Sequence, residues 1–154
     1  MLTWDELLPE DGRRQGWVVP FPQTAGFDPS WWVKPAKFGH RYISIWDGDD
    51  EVARVDLNDR PLLDEWVRLP EDAVQIQFIA VQNRLWRNGI GSDVVDLIAE
   101  HHPGQALAAL SAQDALGFWE KLRWERYDHR SEPELRQTLF VGPVGRRSRS
   151  GRRR

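Results

Sequence analysis

The feature that most restricts the fold lies mid-chain, where an alternating strand runs through a glycine-containing turn into an amphipathic helix. In Val74–Val81, the residues Ile76, Phe78 and Ala80 alternate with Gln75, Gln77 and Ile79. One face is thus wholly apolar, the two-residue period of a strand. From Ser92 to His101, Val94, Val95, Leu97 and Ile98 recur at helical spacing, and Pro103-Gly104 ends that helix. Between the two lies Trp86-Arg87-Asn88-Gly89-Ile90-Gly91. Glycines let the backbone take φ > 0 and approach a ligand closely. The free N–H groups and the dipole at the helix start attract an anion, and a pyrophosphate suits them. A P-loop does not fit, because no lysine follows Gly89 or Gly91. A dinucleotide fingerprint fails because Val94 stands at its third glycine position. On the hexapeptide alone, a simple tight turn at Asn88-Gly89 accounts for the glycines equally well.

The flanking pattern extends this reading. Tyr42–Trp46 and Glu51–Leu57 read as strands joined by the turn Asp47-Gly48-Asp49-Asp50, a hairpin. Asn58 to Pro70 is a connection with one helical turn around Leu62 to Val67. Ala106–Leu110 reads as a short buried strand. Ser111-Ala112-Gln113-Asp114 has the form of a capping box before a helix to about Leu122. Trp124–Asp128 and Leu135–Val141 complete the strands. Residues 1–40 are broken by Pro20, Pro22, Pro29 and Pro35 and by four glycines, and only Trp17–Val19 suggests a strand there. The order from residue 42 predicts an α/β (mixed α+β) fold, a mixed sheet with helices packed on it. The length of 154 residues predicts one domain over 1–142, followed by a disordered tail at 143–154.

Composition removes several chemistries. With no cysteine there is no disulfide, no thiolate nucleophile and no cysteine metal site. No run of about 18 apolar residues occurs, so no membrane span is expected. The acidic opening Met1–Glu6 lacks the pattern of a signal peptide, which predicts a cytoplasmic protein. Six of the 21 basic residues are Arg146, Arg147, Arg149, Arg152, Arg153 and Arg154, leaving 15 against 24 acidic ones. Such a basic tail on an acidic body suits weak nucleic-acid contact, or serves solubility alone. Of the nine tryptophans, most are expected in the core, with Trp31-Trp32 a candidate pocket lining. His101-His102 reads as a solvated helix end rather than a metal site, and no metal is expected.

Residues 75–91, ending Asn-Gly-Ile-Gly, together with Ala115-Leu116-Gly117-Phe118-Trp119-Glu120-Lys121-Leu122-Arg123-Trp124, resemble two signatures of the GNAT superfamily of N-acetyltransferases. The first is Gln/Arg-x-x-Gly-x-Gly/Ala between a strand and a helix; the second is Ala-x-x-Phe-Tyr-x-x-x-Gly-Phe. The resemblance covers about residues 40–141. It implies a sheet with two splayed parallel strands, Val74–Val81 and Ala106–Leu110. It also implies transfer of an acetyl or other acyl group from acyl-CoA to a primary amine, on a small molecule or a protein. The backbone of Ile79, Ala80 and Val81 would pair with the pantetheine arm. Trp86, Arg87, Asn88, Gly89, Ile90, Gly91 and Ser92 would hold the pyrophosphate, and Trp119 would also face the cofactor. A homodimer is compatible with this reading.

The departures fall on catalysis. Trp86 replaces the motif's Gln/Arg, with Arg84 and Arg87 adjacent. Trp119 replaces the tyrosine acid, and an indole N–H does not give up its proton. Gln75 stands where one branch of the family has a glutamate base, Ala112 where an asparagine is usual, and Arg123-Trp124 replaces Gly-Phe. The general base is therefore unassigned. Asp56, Asp59, His40 and His129 remain candidates. A domain that binds acyl-CoA without turning it over, as a sensor or interaction module, is the alternative.

Overall fold

A computed structural model describes residues 1–9, 11–12, 16–31, 34–86 and 88–144. Trp32, Arg87 and all six tail arginines lie outside the described residues. The elements in chain order are β1 (Leu2–Leu7), β2 (Val18–Val19), β3 (Lys34–Pro35), β4 (His40–Asp47), β5 (Asp50–Asn58), β6 (Val74–Val81), α1 (Ile90–Glu100), β7 (Leu107–Ser111), α2 (Leu116–Lys121), β8 (Glu125–Tyr127) and β9 (Thr138–Val141). Seven strands form one sheet in the order β1-β4-β5-β6-β7-β9-β8, and β2 pairs with β3 separately. The sheet is mostly antiparallel, and β6 and β7 run parallel. The expected mixed α+β architecture is the one observed.

The chain forms two compact units. The first comprises Met1–Asn58 and Gln77–Leu97. Its β4–β5 hairpin turns at Gly48, whose φ of 62° only glycine adopts without strain. A bulge lies between Ile45 and Trp46: Ile45 faces Ala53 but Trp46 faces Glu51, so Val52 is the extra residue. That insertion turns Glu51 onto the face of Arg54 despite their odd spacing. Both residues are fully buried there, and the guanidinium grips the carboxylate through Nε (3.0 Å) and Nη2 (2.9 Å). Ser44 Oγ donates to Glu51 (2.6 Å). The remaining guanidinium donors reach the carbonyls of Trp31 (3.1 Å) and Pro22. The rings of Phe21 and Phe27 lie against the same guanidinium. The pair is thus fully hydrogen-bonded, which a buried ion pair requires. It ties residues 20–31, poor in regular structure, to β5. Val19, Phe21, Phe27, Trp31, Ala36 and Tyr42 form the core over this face.

The second unit comprises Asp59–Ile76 and the chain from Ile98 onward. Leu63, Ala108 and Leu139 centre its core, with Trp66, Leu110 and Tyr127 packed around them.

Several local expectations need correction. Leu2–Leu7, read from sequence only as an acidic opening, is an edge strand on β4. Ser111 ends β7 and caps nothing. Its hydroxyl donates to the Ala112 carbonyl (2.8 Å), and the short 3-10 turn Gln113–Ala115 that leads into α2 has no side-chain cap. Leu135 is exposed and outside the last strand, which starts at Thr138. Residues 62–67, by contrast, make the single helical turn expected there, closed by Leu63, whose carbonyl accepts from Trp66 and Val67. His102 is buried, with its Nδ1–H donating to the Ile98 carbonyl (2.6 Å), so it caps α1 rather than facing solvent. Phe78 is 49% exposed, so the apolar face of β6 is open at its centre.

Candidate functional site

The parallel register of β6 and β7 pairs Val74 with Leu107 and Gln75 with Ala108, both at the start of the strands and within the second unit. Gln77 to Val81 belong to the first unit, together with the turn and the start of α1. The strand leads into a 3-10 turn at Asn83–Leu85. Trp86 then folds back, its indole N–H donating to the Val81 carbonyl (2.8 Å) while the ring stays largely exposed. Arg84 pairs with Asp50 (3.3 Å) at the surface, a weak contact that leaves its charge largely in solvent. The Asn88 N–H donates to Leu85 (3.2 Å), and Gly89 takes φ 79°. The Gly89 carbonyl accepts the Asp93 N–H (3.1 Å), the first bond of α1. The amides of Ile90, Gly91 and Ser92 therefore lie in the helix's first turn, where no intrahelical acceptor exists. The backbone has the strand–glycine turn–helix form expected from the sequence, while Arg87 lies outside the described residues.

A second cluster stands on the Arg54 face of the same unit. His40 Nδ1 and Asp56 Oδ1 are 2.7 Å apart, and both side chains are nearly buried. Tyr42, facing Asp56 across the hairpin, stacks on the His40 ring and accepts the Lys37 N–H through its hydroxyl (3.0 Å). Burial pushes the Asp56 carboxyl above the usual range, opposed by the His40 hydrogen bond and by the charges of His40, Lys34 and Lys37. Burial likewise raises the Tyr42 phenol. The Gln82 N–H, just past β6, donates to the Val52 carbonyl of the neighbouring strand β5 (2.9 Å). Phe78 meets Trp31 edge-on, and Ala80 packs on the core around Tyr42. Among the described residues no buried side-chain nitrogen or oxygen lacks a hydrogen bond, and His40 has one bonding partner there. Its Nε2 consequently reaches solvent. A histidine oriented by a buried carboxylate, with the distal nitrogen open, can take up a proton.

The other candidates sit differently. His129 is buried, and both its ring nitrogens are engaged. Nδ1 accepts the backbone N–H of Glu132 (2.9 Å) and Ser131 (3.3 Å), while Nε2 lies 3.0 Å from Glu65. Its geometry is that of a turn clasp. Gln75 is buried in β6. Trp119 is buried between Phe118 and Trp124, with ring centroids 4.9 and 4.8 Å away. Both belong to the second unit. Sequence reading singled out the Trp31-Trp32 pair but missed the partnership of Trp31 with Phe78 and Lys34. A lysine closely following the pair was the available signal.

No protein-family model and no curated protein matches the sequence. Solved structures do match in fold. The Bacillus subtilis N-acetyltransferase YlbP, in complex with coenzyme A, shares 14% identity at a TM-score of 0.52, over 66% of this chain and 67% of that one. An acetyltransferase from Thermus thermophilus shares 14% at 0.55, over 68% and 64%. A Desulfovibrio desulfuricans protein described as a GNAT-family acetyltransferase shares 13% at 0.50, over 67% of each chain. The match thus spans 64% to 67% of their lengths. The fold is that of the GNAT acetyltransferases. Among the described residues no helix is long and apolar enough to cross a membrane.

Proposed function

We propose that the protein is an N-acyltransferase that moves an acetyl or other acyl group from acyl-CoA to a primary amine by direct attack, in the cytoplasm. The observation that carries the reading is that the first unit holds both the free first-turn amides of Ile90 to Ser92 and the hydrogen-bonded His40–Asp56 pair. The fold shared with acetyltransferases supports it.

Those amides and the α1 dipole would hold the pyrophosphate. The Ile79–Val81 backbone would pair with the pantetheine arm, and an N–H near Ile79 would polarise the thioester carbonyl. An alkylammonium has a pKa of about 10.4, so only about one in a few thousand is neutral at pH 7. His40 would take that proton at Nε2, with Asp56 as the positioning residue holding the ring. The amine nitrogen then bonds to the acyl carbon, the carbon–sulfur bond breaks, and the second proton of the nitrogen passes to solvent. CoA leaves as a thiolate, acceptable without a protein acid because thiols ionise near pH 8.5.

The second reading, an acyl-CoA-binding module without turnover, is favoured by buried Gln75 and by Trp119 fixed among aromatic rings. Titration calorimetry with acetyl-CoA, followed by turnover assays on polyamine and peptide acceptors, separates the two. We expect binding and turnover, with kcat falling at least about a hundredfold in His40→Gln. Binding without turnover on any acceptor would leave the module; absence of both would reject the acyl-CoA site.

A further inference from the structure

Lys34 places its ammonium 4.5 Å from the centre of the Trp31 ring and 4.9 Å from that of Phe78. The two rings stand at 89° with centroids 6.5 Å apart, so they form a two-walled corner with the cation against both walls. Trp31 is a buried wall, rigid because Phe21 packs on it and Arg54 holds its carbonyl. Phe78 is the open wall, half-exposed and adjacent to Ile79. Asp56 belongs to the same unit as both rings, and the positive charge of Lys34 acts on its carboxyl against the effect of burial. Two ring faces and a nearby carboxylate together favour one class of guest, a cation with an apolar stem. Lys34 itself does not require the corner, because a lysine can keep its ammonium in water.

We propose that Trp31, Phe78 and Asp56 form a binding site for a primary alkylammonium, and that Lys34 occupies it in place of the acceptor. The proposal rests on the acyltransferase reading for the use of the site, though not for its existence. An incoming amine must displace the Lys34 ammonium, which then swings to solvent on its own stem. The displaced side chain lowers the affinity for weak amines and leaves the site to acceptors that bring further contacts. An acceptor bound there lies one residue along β6 from Ile79 and beside His40, the proton acceptor of the proposed reaction.

The chain has three lysines, so its lysine ε-methylene NMR signals number three and are assignable by substitution. Ring currents from two aromatic faces should displace the Lys34 signal upfield of those from Lys37 and Lys121. Titration with n-butylammonium should return it toward them. Phe78→Ala should abolish both the displacement and the response. Lys34→Ala, read by tryptophan fluorescence, should bind n-butylammonium more tightly than the parent. Three coincident lysine signals in the parent, or a displaced signal unmoved by saturating n-butylammonium, would overturn the proposal. So would weaker n-butylammonium binding in Lys34→Ala. Separate calorimetry with acetyl-CoA distinguishes the two ideas: n-butylammonium binding without acetyl-CoA binding keeps this site and removes the acyltransferase.

Discussion

Arg123 is a non-glycine residue held at positive φ, 59°, just past the end of α2. Its N–H donates to Glu120, and that of Trp124 to Trp119, closing the helix in a left-handed turn that glycine normally supplies. A side chain there costs roughly 1–2 kcal/mol, while glycine costs roughly 0.5–1 kcal/mol more entropy in the unfolded chain. Arg123→Gly should therefore stabilise the protein by about 0.5–1 kcal/mol, raising Tm by a few degrees in thermal denaturation. Asp56 offers a contrary case. Its folded pKa is raised, so its neutral form favours the fold below about 3.8, and that stability is lost as pH rises through the folded value. His40, Lys34 and Lys37 oppose the shift with positive charge, and the Tyr42 phenol, itself raised, faces Asp56. Asp56→Asn does not ionise. Tm measured across pH should show the variant gaining on the parent from about pH 4 upward, then running parallel. A gap that widens in the parent's favour would reverse the assignment.

Among the elements, the strand–turn–helix at 74–100 was the most legible from sequence, because three local signals coincide there. Alternation, glycines and helical spacing each fix a different stretch of backbone. The β4–β5 hairpin was legible for the same reason, its turn being flanked by β-branched and aromatic residues. β1 was not, because its charged residues Asp5 and Glu6 mimic a solvated terminus although they suit an edge strand. The His40–Asp56 pair was only half legible. Both residues stood out as titratable, but their 2.7 Å contact depends on the hairpin register, which no local pattern states. The two glycines of the turn should behave differently. Gly89→Ala meets no atom within 4 Å, so its cost of about 1 kcal/mol is conformational. Gly91→Asp lies within α1 and should leave the fold intact while setting a carboxylate where a pyrophosphate would sit. Calorimetry should show acetyl-CoA binding lost in Gly91→Asp; unchanged affinity there would remove the turn from the proposed site.

On the scale of the molecule, charge is divided between an acidic body and a basic tail. Deleting residues 143–154 removes six positive charges and takes the formal net charge from −3 to −9. If the tail contacts nucleic acid, RNA binding should vanish on that deletion and, in the parent, fall with salt by roughly 0.7–0.9 in slope for each phosphate neutralised. Acyl transfer should be indifferent to the deletion. Equal RNA retention by both forms would clear the tail. The buried guanidinium of Arg54 has a different reach. It holds residues 22 and 31 by their carbonyls, which every amino acid carries, and reads neither side chain at those bonds. The segment between them can accordingly change its exposed side chains, and so the chemistry it offers to a guest, without loosening its attachment to β5. Divergence in what the protein recognises is thereby separated from the requirement that it fold.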